Sequence, residues 1–398
     1  METEEIFAAY GDRVVKIEVT EIGASAKSSL GSAFLVDSTG ILITNFHVVS
    51  RVVHDPDRFE ASWNGDGSTG KIDVLAIDVV HDLALVSAEG DWAVEPLGLV
   101  PGEVEQGRRL WSFGYPRDLG KTIVEGTYNG PFERSLARRL NFTGSLNPGM
   151  SGGPVVDEAG DVVGVNVAGL GEQLSFLVPV DAAAKLLRVG RDAEFQPRSD
   201  LLDDLREQVI AHQAKYFETL FDEGTESVEM GPFRVPSQPR AFFDCAGNVA
   251  EPDDERWLEW IQHSCSTEDS LYISGSHWSG MVRFSHLWQD GSAVGRLRFY
   301  GPYSNEHGAS GWASAEEEDL TNYRCQVTHV ELSGLKWNMA LCLRAYKDVP
   351  GLYDGLVRIS SLLDAPEGLQ SVLWLGGVTV ETVQQVARRF LERIEWTP

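Results

Sequence analysis

Residues 1 to about 190 are predicted to form an all-β barrel or sandwich, and the rest of the chain an α+β domain rich in antiparallel strands. Three observations carry this expectation. Short runs of Val, Ile and Leu recur through the first half, separated by turns such as Asp37-Ser38-Thr39-Gly40 and Asp157-Glu158-Ala159-Gly160. The composition shifts near residue 191, beyond which lie all four cysteines and most of the 11 tryptophans. A length of 398 residues exceeds what one hydrophobic core ordinarily organises, so two or three domains are expected. The hydrophobic fraction of 42 % suffices for packed interiors and excludes wholesale disorder.

In chain order, the expected strands of the first half cover residues 14–19, 32–36, 41–44, 73–77, 83–86, 110–113, 154–156, 162–165 and 175–178. A helix over 181–189, with Asp181 as its N-cap, closes this domain. Residues 191–200 read as a linker and 201–221 as a helix, with Leu201, Leu205, Val209, Tyr216 and Leu220 on one apolar stripe and Ser199 or Asp200 as cap. Residues 191–227 are therefore expected to join a domain at 1–190 to one at 228–398. In the latter, strands are expected at 270–274, 281–287, 296–300, 323–332 and 340–346. The chain closes on an amphipathic helix over 380–396, with Val383, Val386, Phe390 and Ile394 on one face. No internal repeat or low-complexity tract is evident.

Acidic residues outnumber basic ones 60 to 33, for a formal charge of -27. The excess runs through both halves, so neither can approach a phosphate backbone or an anionic bilayer without repulsion. Nucleic acid and membrane are excluded as expected partners. The start, Met1-Glu2-Thr3-Glu4-Glu5, is acidic where a secretory leader is basic. No apolar run approaches the ~20 residues needed to span a bilayer. A cytoplasmic protein is expected on these grounds, with Cys245, Cys265, Cys325 and Cys342 as buried free thiols. In a secreted protein the same four would make two disulfides, with three possible connectivities. Their spacing matches no recurring metal site, also when His263 and His277 are considered, and no metal or cofactor is expected.

Three segments of the first half belong together. Ile43-Thr44-Asn45-Phe46-His47 places a histidine just after a strand, and His81-Asp82-Leu83 an aspartate at the mouth of another. Asn147-Pro148-Gly149-Met150-Ser151-Gly152-Gly153-Pro154 places a serine inside a glycine-rich turn. A serine hydroxyl is a poor nucleophile at neutral pH and needs an adjacent base. Imidazole has a suitable pKa, and a carboxylate fixes its tautomer and steadies the imidazolium. The glycines allow a sharp turn whose N–H groups converge on a developing oxyanion, the amides of Gly149 and Ser151 being the best placed and Met150 lying between them. The order His, Asp, Ser is that of the chymotrypsin-type triad. His81, next to Asp82, is read as a loop residue because it follows no such strand end.

Together with Gly31-Ser32-Ala33-Phe34-Leu35 and Asp82-Leu83-Ala84-Leu85, these segments resemble trypsin-like serine peptidases of the HtrA/Deg branch over residues 5 to 190. The resemblance implies a double β-barrel of chymotrypsin type with the active site between the barrels. It also implies His47 as general base, Asp82 as its orienting carboxylate and Ser151 as nucleophile. Val163-Gly164-Val165-Asn166 and Phe176-Leu177-Val178-Pro179 fit as well, the second near an expected edge strand for pairing with substrate. Two departures stand out. Met150 occupies the position before the serine where the family usually has Asn, and no carboxylate-binding Gly-Leu-Gly-Phe-like loop of the usual PDZ domain follows residue 190.

The expected S1 walls are Ser145 and Leu146 before the serine and Leu174, Ser175 and Phe176 on a later strand, with Val167-Ala168-Gly169 nearby. None carries a charge, which points to a small or medium apolar P1 residue. The sequence thus points to a serine endopeptidase acting on proteins or peptides, whose C-terminal α+β domain regulates it or binds a protein or ligand. The alternatives are a catalytically silent trypsin-like scaffold used for binding or signalling, and an esterase using the same triad. Trp257, Trp260, Trp278 and Trp288 are expected as core residues of the second half rather than the lining of a groove.

Overall fold

The apolar runs of the first half close into two barrels of six antiparallel strands each. In the computed structural model, residues 2–24, 27–65, 67–132, 135, 137–169, 175–250, 257–267, 269–306 and 316–397 are described. Helix α1 (Thr3–Tyr10) precedes β1 (Val14–Glu21), β2 (Lys27–Asp37) and β3 (Ile41–Thr44), then α2 (Phe46–His54), β4 (Phe59–Gly65), β5 (Ser68–Asp78) and β6 (Leu83–Ala88). These strands form the first barrel in the order β1-β2-β3-β6-β5-β4. The second is built from β7 (Arg109–Gly114), β8 (Thr122–Pro131), β9 (Leu140–Phe142), β10 (Pro154–Val156), β11 (Val162–Gly169) and β12 (Ser175–Pro179). Its order, β7-β8-β9-β12-β11-β10, repeats that of the first, a duplication invisible as sequence repeat.

Strands β4, β8 and β9 lie outside the predicted runs. β4 does alternate, with Phe59, Ala61 and Trp63 buried, but its intervening Glu60 and Asn64 and its closing Gly65 are poor strand formers. β8 carries two glycines and is mostly half-buried, and β9 has three residues, so barrel closure rather than local preference makes them strands. Phe34, Ile43, Leu85, Trp111, Phe113 and Val165 belong to one buried cluster drawn from both barrels. Leu110, Phe142, Val155 and Leu177 fill the second barrel separately.

Helix α3 (Val180–Asp192) lays Ala183, Leu186 and Leu187 against the larger cluster. Its N-cap position is held by Pro179, not Asp181, which falls within the first turn. The chain forms two compact units, Met1–Gln208 with Tyr272–Gly275, and Val209–Leu271 with Ser276–Pro398. The division runs through α4 (Leu201–Phe217). Gln208 accepts from Val79 N–H at 2.8 Å and donates to Ile77 O at 2.8 Å, so the start of the expected joining helix is integral to the first unit. Leu201, Leu205, Val209 and Leu220 are buried, Leu220 lying past the helix end; the Tyr216 side chain is outside the described residues.

The second half adds β13 (Ser227–Met230), β14 (Phe233–Pro236), β15 (Phe243–Ala250), β16 (Glu259–Thr267), β17 (Leu271–Ser274), β18 (His277–Ser279) and β19 (Val282–Asp290). Then follow α5 (Arg296–Glu306), β20 (Arg324–Leu332), β21 (Leu335–Ala345), β22 (Tyr353–Ser361), β23 (Glu367–Val378), α6 (Val380–Glu392) and β24 (Glu395–Trp396). A seven-stranded antiparallel sheet runs β15-β16-β19-β23-β22-β21-β20. Val383, Val386 and Phe390 bury the apolar face of α6, and Gly355 on β22 admits Val383 so closely that a Cβ would meet it at 2.6 Å.

Three expectations are corrected here. Residues 296–300 open helix α5 instead of forming a strand: Phe299 and Tyr303, one turn apart, are buried while Leu297 is 96 % exposed. The cysteines are not free thiols but form Cys245–Cys265 and Cys325–Cys342 disulfides. Each pair stands directly opposite across neighbouring antiparallel strands, with Cα atoms 4.1 and 4.0 Å apart, and register of this kind is not readable from spacing. Of the four tryptophans expected in the core, Trp288 is buried and Trp260 half-buried, whereas Trp257 and Trp278 are 62 % and 39 % exposed. Among the described residues, no helix is long and apolar enough to cross a membrane.

Candidate active site

Where β3 ends, Asn45 keeps extended backbone angles (φ -83°, ψ 150°) at the N-cap of α2, so strand passes into helix and His47 stands in the first helical turn. The Asn45 side chain leaves the turn amides unbonded and instead donates from Nδ2 to Asp82 O at 2.7 Å. Asp82 does the capping from the β5–β6 turn. Its Oδ1 accepts the His47 backbone N–H at 2.9 Å, and its Oδ2 lies 2.6 Å from His47 Nδ1. A carboxylate at a helix start is favoured by the exposed amides there, and the short charge-assisted bond fixes the imidazole tautomer with the proton on Nδ1. Asp82 has φ +56°, a left-handed conformation that Asp tolerates because its short polar side chain bonds locally. Burial pulls the His47 imidazole down, but the charge and hydrogen bond of Asp82 outweigh it and hold the ring above its ordinary 6.5.

Ser151 comes from the other barrel, in the Asn147–Gly153 turn between β9 and β10. Gly149 has φ +97°, and a Cβ there would lie 2.4 Å from Tyr115 O. Buried Ser32 fastens the turn: its Oγ donates to Gly149 O at 2.7 Å and accepts from Tyr115 N–H at 3.0 Å. Its own N–H donates to Ser151 O at 2.8 Å. Asn166, fully buried, holds the other side by donating to Phe113 O at 3.0 Å and Met150 O at 3.1 Å, and its carbonyl accepts from Gly152 N–H at 3.0 Å. Gly152, at φ +85°, sits so close to the strand leading into His47 that a Cβ would be 2.9 Å from Asn45 N. The two halves of the candidate triad are thus brought together by backbone packing at Gly152.

Within this turn Met150 N–H donates to Asn147 O at 3.0 Å. Of the three amides expected around the oxyanion, that of Met150 is thus committed within the turn. The amides of Gly149 and Ser151 make no hydrogen bond to another described residue. The Ser151 hydroxyl donates to Val167 O at 3.3 Å and, among the described residues, not to His47.

Of the expected S1 residues, Leu146 N–H donates to Ser175 Oγ at 3.2 Å, joining the segment before the serine to β12. Leu146 packs half-buried on the second core, Ser145 is exposed, and the Phe176 ring lies 5.1 Å from Phe132. Leu174 lies outside the described residues. Residues 176–179, expected near an edge strand, lie on β12, which pairs with both β11 and β9. His81 is a turn residue, its Nδ1 2.8 Å from Asp78 Oδ2. Among the described residues, the single cluster of three metal-type donors is Cys245, His263 and Cys265, and both its sulfurs are committed to a disulfide. The roles of Ser32 and Asn166 escape sequence reasoning, since their partners are distant in the chain, Gly149 standing 117 residues from Ser32; their only signal is polarity inside apolar runs.

Residues 31–165 match the family described as a trypsin-like peptidase domain. The chain is similar to Protease Do-like 5, chloroplastic, of Arabidopsis thaliana, with 24 % identity over 216 residues that cover 45 % of this chain and 66 % of that protein. It is also similar to Serine protease HTRA2, mitochondrial, of Drosophila pseudoobscura pseudoobscura, 28 % identical over 193 residues and 44 % of each chain. The crystal structure of Deg5 aligns with 46 % of this chain and 94 % of its own at 24 % identity, with a TM-score of 0.41. The chain therefore spans 44 % to 66 % of the length of these curated relatives.

Proposed function

We propose, for a chain whose first half is a trypsin-like peptidase domain of the HtrA/Deg type, that it is a serine endopeptidase working through Ser151, His47 and Asp82. The observation that carries this reading is the Asp82–His47 pair, doubly bonded and held by the packing at Gly152 beside a serine turn with two uncommitted amides. For catalysis the Ser151 hydroxyl leaves Val167 O and turns to Nε2 of His47, a tightening common when substrate enters a resting site. Nε2 takes the hydroxyl proton as Oγ attacks the scissile carbonyl carbon. The carbonyl oxygen becomes an oxyanion received by Gly149 N–H and Ser151 N–H. The imidazolium, steadied by Asp82, returns its proton to the leaving amine as the C–N bond breaks and an acyl-enzyme ester remains. Water, deprotonated by the same Nε2, releases the acid and restores Ser151.

A fluorophosphonate probe tests this directly. The expected adduct maps to Ser151, and its rate of formation rises with pH because only neutral His47 accepts the proton. Since Asp82 holds His47 above its ordinary value, the half-maximal rate is expected above pH 6.5. No adduct, or one on another residue, would overturn the assignment.

Leu146, Ser175 and Phe176 offer no charge to a side chain entering the pocket, which supports a small or medium apolar P1 preference. In a peptide library, cleavage is expected after such residues; a dominant preference for Lys or Arg would be the contrary result. Protein or peptide substrates are the proposed partners, with the second unit regulating the site or binding a further partner. Its two disulfides favour an oxidising compartment over the cytoplasmic placement expected from the sequence.

A further inference from the structure

The first unit is not complete within its first 208 residues: it also includes Tyr272–Gly275. These residues lie against α2, the helix that begins with Phe46 and His47. The Tyr272 ring, almost fully buried, stands edge-on to the His47 imidazole, centroids 5.9 Å apart and planes at 68°. It meets Phe46 in the same way at 6.1 Å and 71°. One helical turn on, the Tyr272 hydroxyl is 3.2 Å from Ser50 Oγ, and at the far end His54 Nε2 donates to Ile273 O at 3.0 Å. A helix of nine residues is marginal by itself in water, so what flanks it decides where its side chains stand. Asp82 holds Nδ1 and the first turn but not the tilt of the ring about that bond. The Tyr272 edge is placed to limit that tilt.

We propose that Tyr272 is a positioning residue for the general base: its ring sets the plane of His47 and its hydroxyl pins α2 at Ser50. This rests on His47 being the base, as argued above. Nε2 must lie in line with the Ser151 hydroxyl for proton transfer, and a displacement of about 1 Å in such a geometry costs up to ~100-fold in rate. The effect belongs to the chemical step, not to substrate affinity.

The test uses the full chain and Tyr272→Phe, Tyr272→Leu and Ser50→Ala. Tyr272→Leu keeps apolar bulk to hold the fold but removes the ring edge and the hydroxyl; kcat is expected to fall on the order of 10-fold with KM within about 2-fold. Tyr272→Phe restores the ring and most of kcat, and Ser50→Ala, which deletes the same bond together with the 3.3 Å bond from Ser50 Oγ to His47 O, lowers kcat at least as far as Tyr272→Phe. If Tyr272→Leu keeps kcat within about 2-fold, or if the loss falls on KM alone, the proposal is overturned. Fluorophosphonate labelling of the wild type separates the two assignments. A labelled wild type with an unimpaired Tyr272→Leu sinks only the role of Tyr272, whereas a wild type without an adduct at Ser151 removes the site assignment and this proposal together.

Discussion

Ser151→Ala is expected to lower peptide hydrolysis on the order of 10⁴-fold or more and to abolish fluorophosphonate labelling. The proposed acyl-enzyme would have no other oxygen of the turn on which to form: residues 147–153 hold one hydroxyl, flanked by Met150 and Gly152. The fold should tolerate the change. Among the described residues the Ser151 Oγ makes one bond, to Val167 O at 3.3 Å, and losing such a neutral bond costs about 1 kcal/mol. The bonds that shape the turn run through the backbone of Gly149, Met150 and Ser151 and the side chains of Ser32 and Asn166, none of which the substitution touches. Hydrolysis rate and melting temperature together check this. A variant with unchanged melting temperature that keeps more than about 1 % of wild-type hydrolysis would exclude Ser151 as nucleophile.

Asp82→Asn is expected to cost about 10⁴-fold in kcat without unfolding the site. Asn fits the backbone, because it accepts the left-handed φ of +56° as readily as Asp does. Its amide oxygen can still receive the His47 backbone N–H that now bonds Oδ1. What changes is the other side-chain atom. An amide NH₂ facing Nδ1 donates where Oδ2 accepted, so the ring places its proton on Nε2, the atom that must receive one from Ser151. The substitution also removes the charge that lifts His47 against burial, so the pKa of the ring should fall. The residual activity should accordingly appear at lower pH than in the wild type, not higher. A pH profile of kcat/KM on the purified variant checks both statements. Activity within about 10-fold of wild type, or a profile displaced upward, would show that Asp82 does not act on His47 in this way.

Part of the candidate site is legible in the sequence. His47, Asp82 and Ser151 stand out because nucleophilic chemistry needs those types, and each sits at a strand end or in a glycine turn that local sequence can mark. Gly149 and Gly152 are legible as turn residues, but the close approach that makes Gly152 necessary involves Ser32 and Asn45 from the other barrel. Met150 shows the limit of local reading. Its amide lies in sequence between the two proposed oxyanion donors, yet the turn directs it inward to Asn147 O. Tyr272 carries no local mark at all, since nothing around it separates a residue that flanks His47 from an ordinary strand tyrosine.

The same division holds for the fold. In the first half, strands with strong Val, Ile and Leu runs were readable because their burial follows from their own side chains. β4, β8 and β9 were not, because closure of a barrel imposes their conformation. Sequence by itself determined the all-β character of the first half, the candidate His, Asp and Ser and their order, and the amphipathic α6. All of these rest on interactions within a few residues or on the chemistry of single side chains. Tertiary structure alone decided which cysteines pair, that β12 pairs with both β11 and β9, how Ser32 and Asn166 clamp the serine turn, and that Tyr272 joins the first unit. Each of these depends on register or close approach between segments far apart in the chain, and no local propensity encodes such distances.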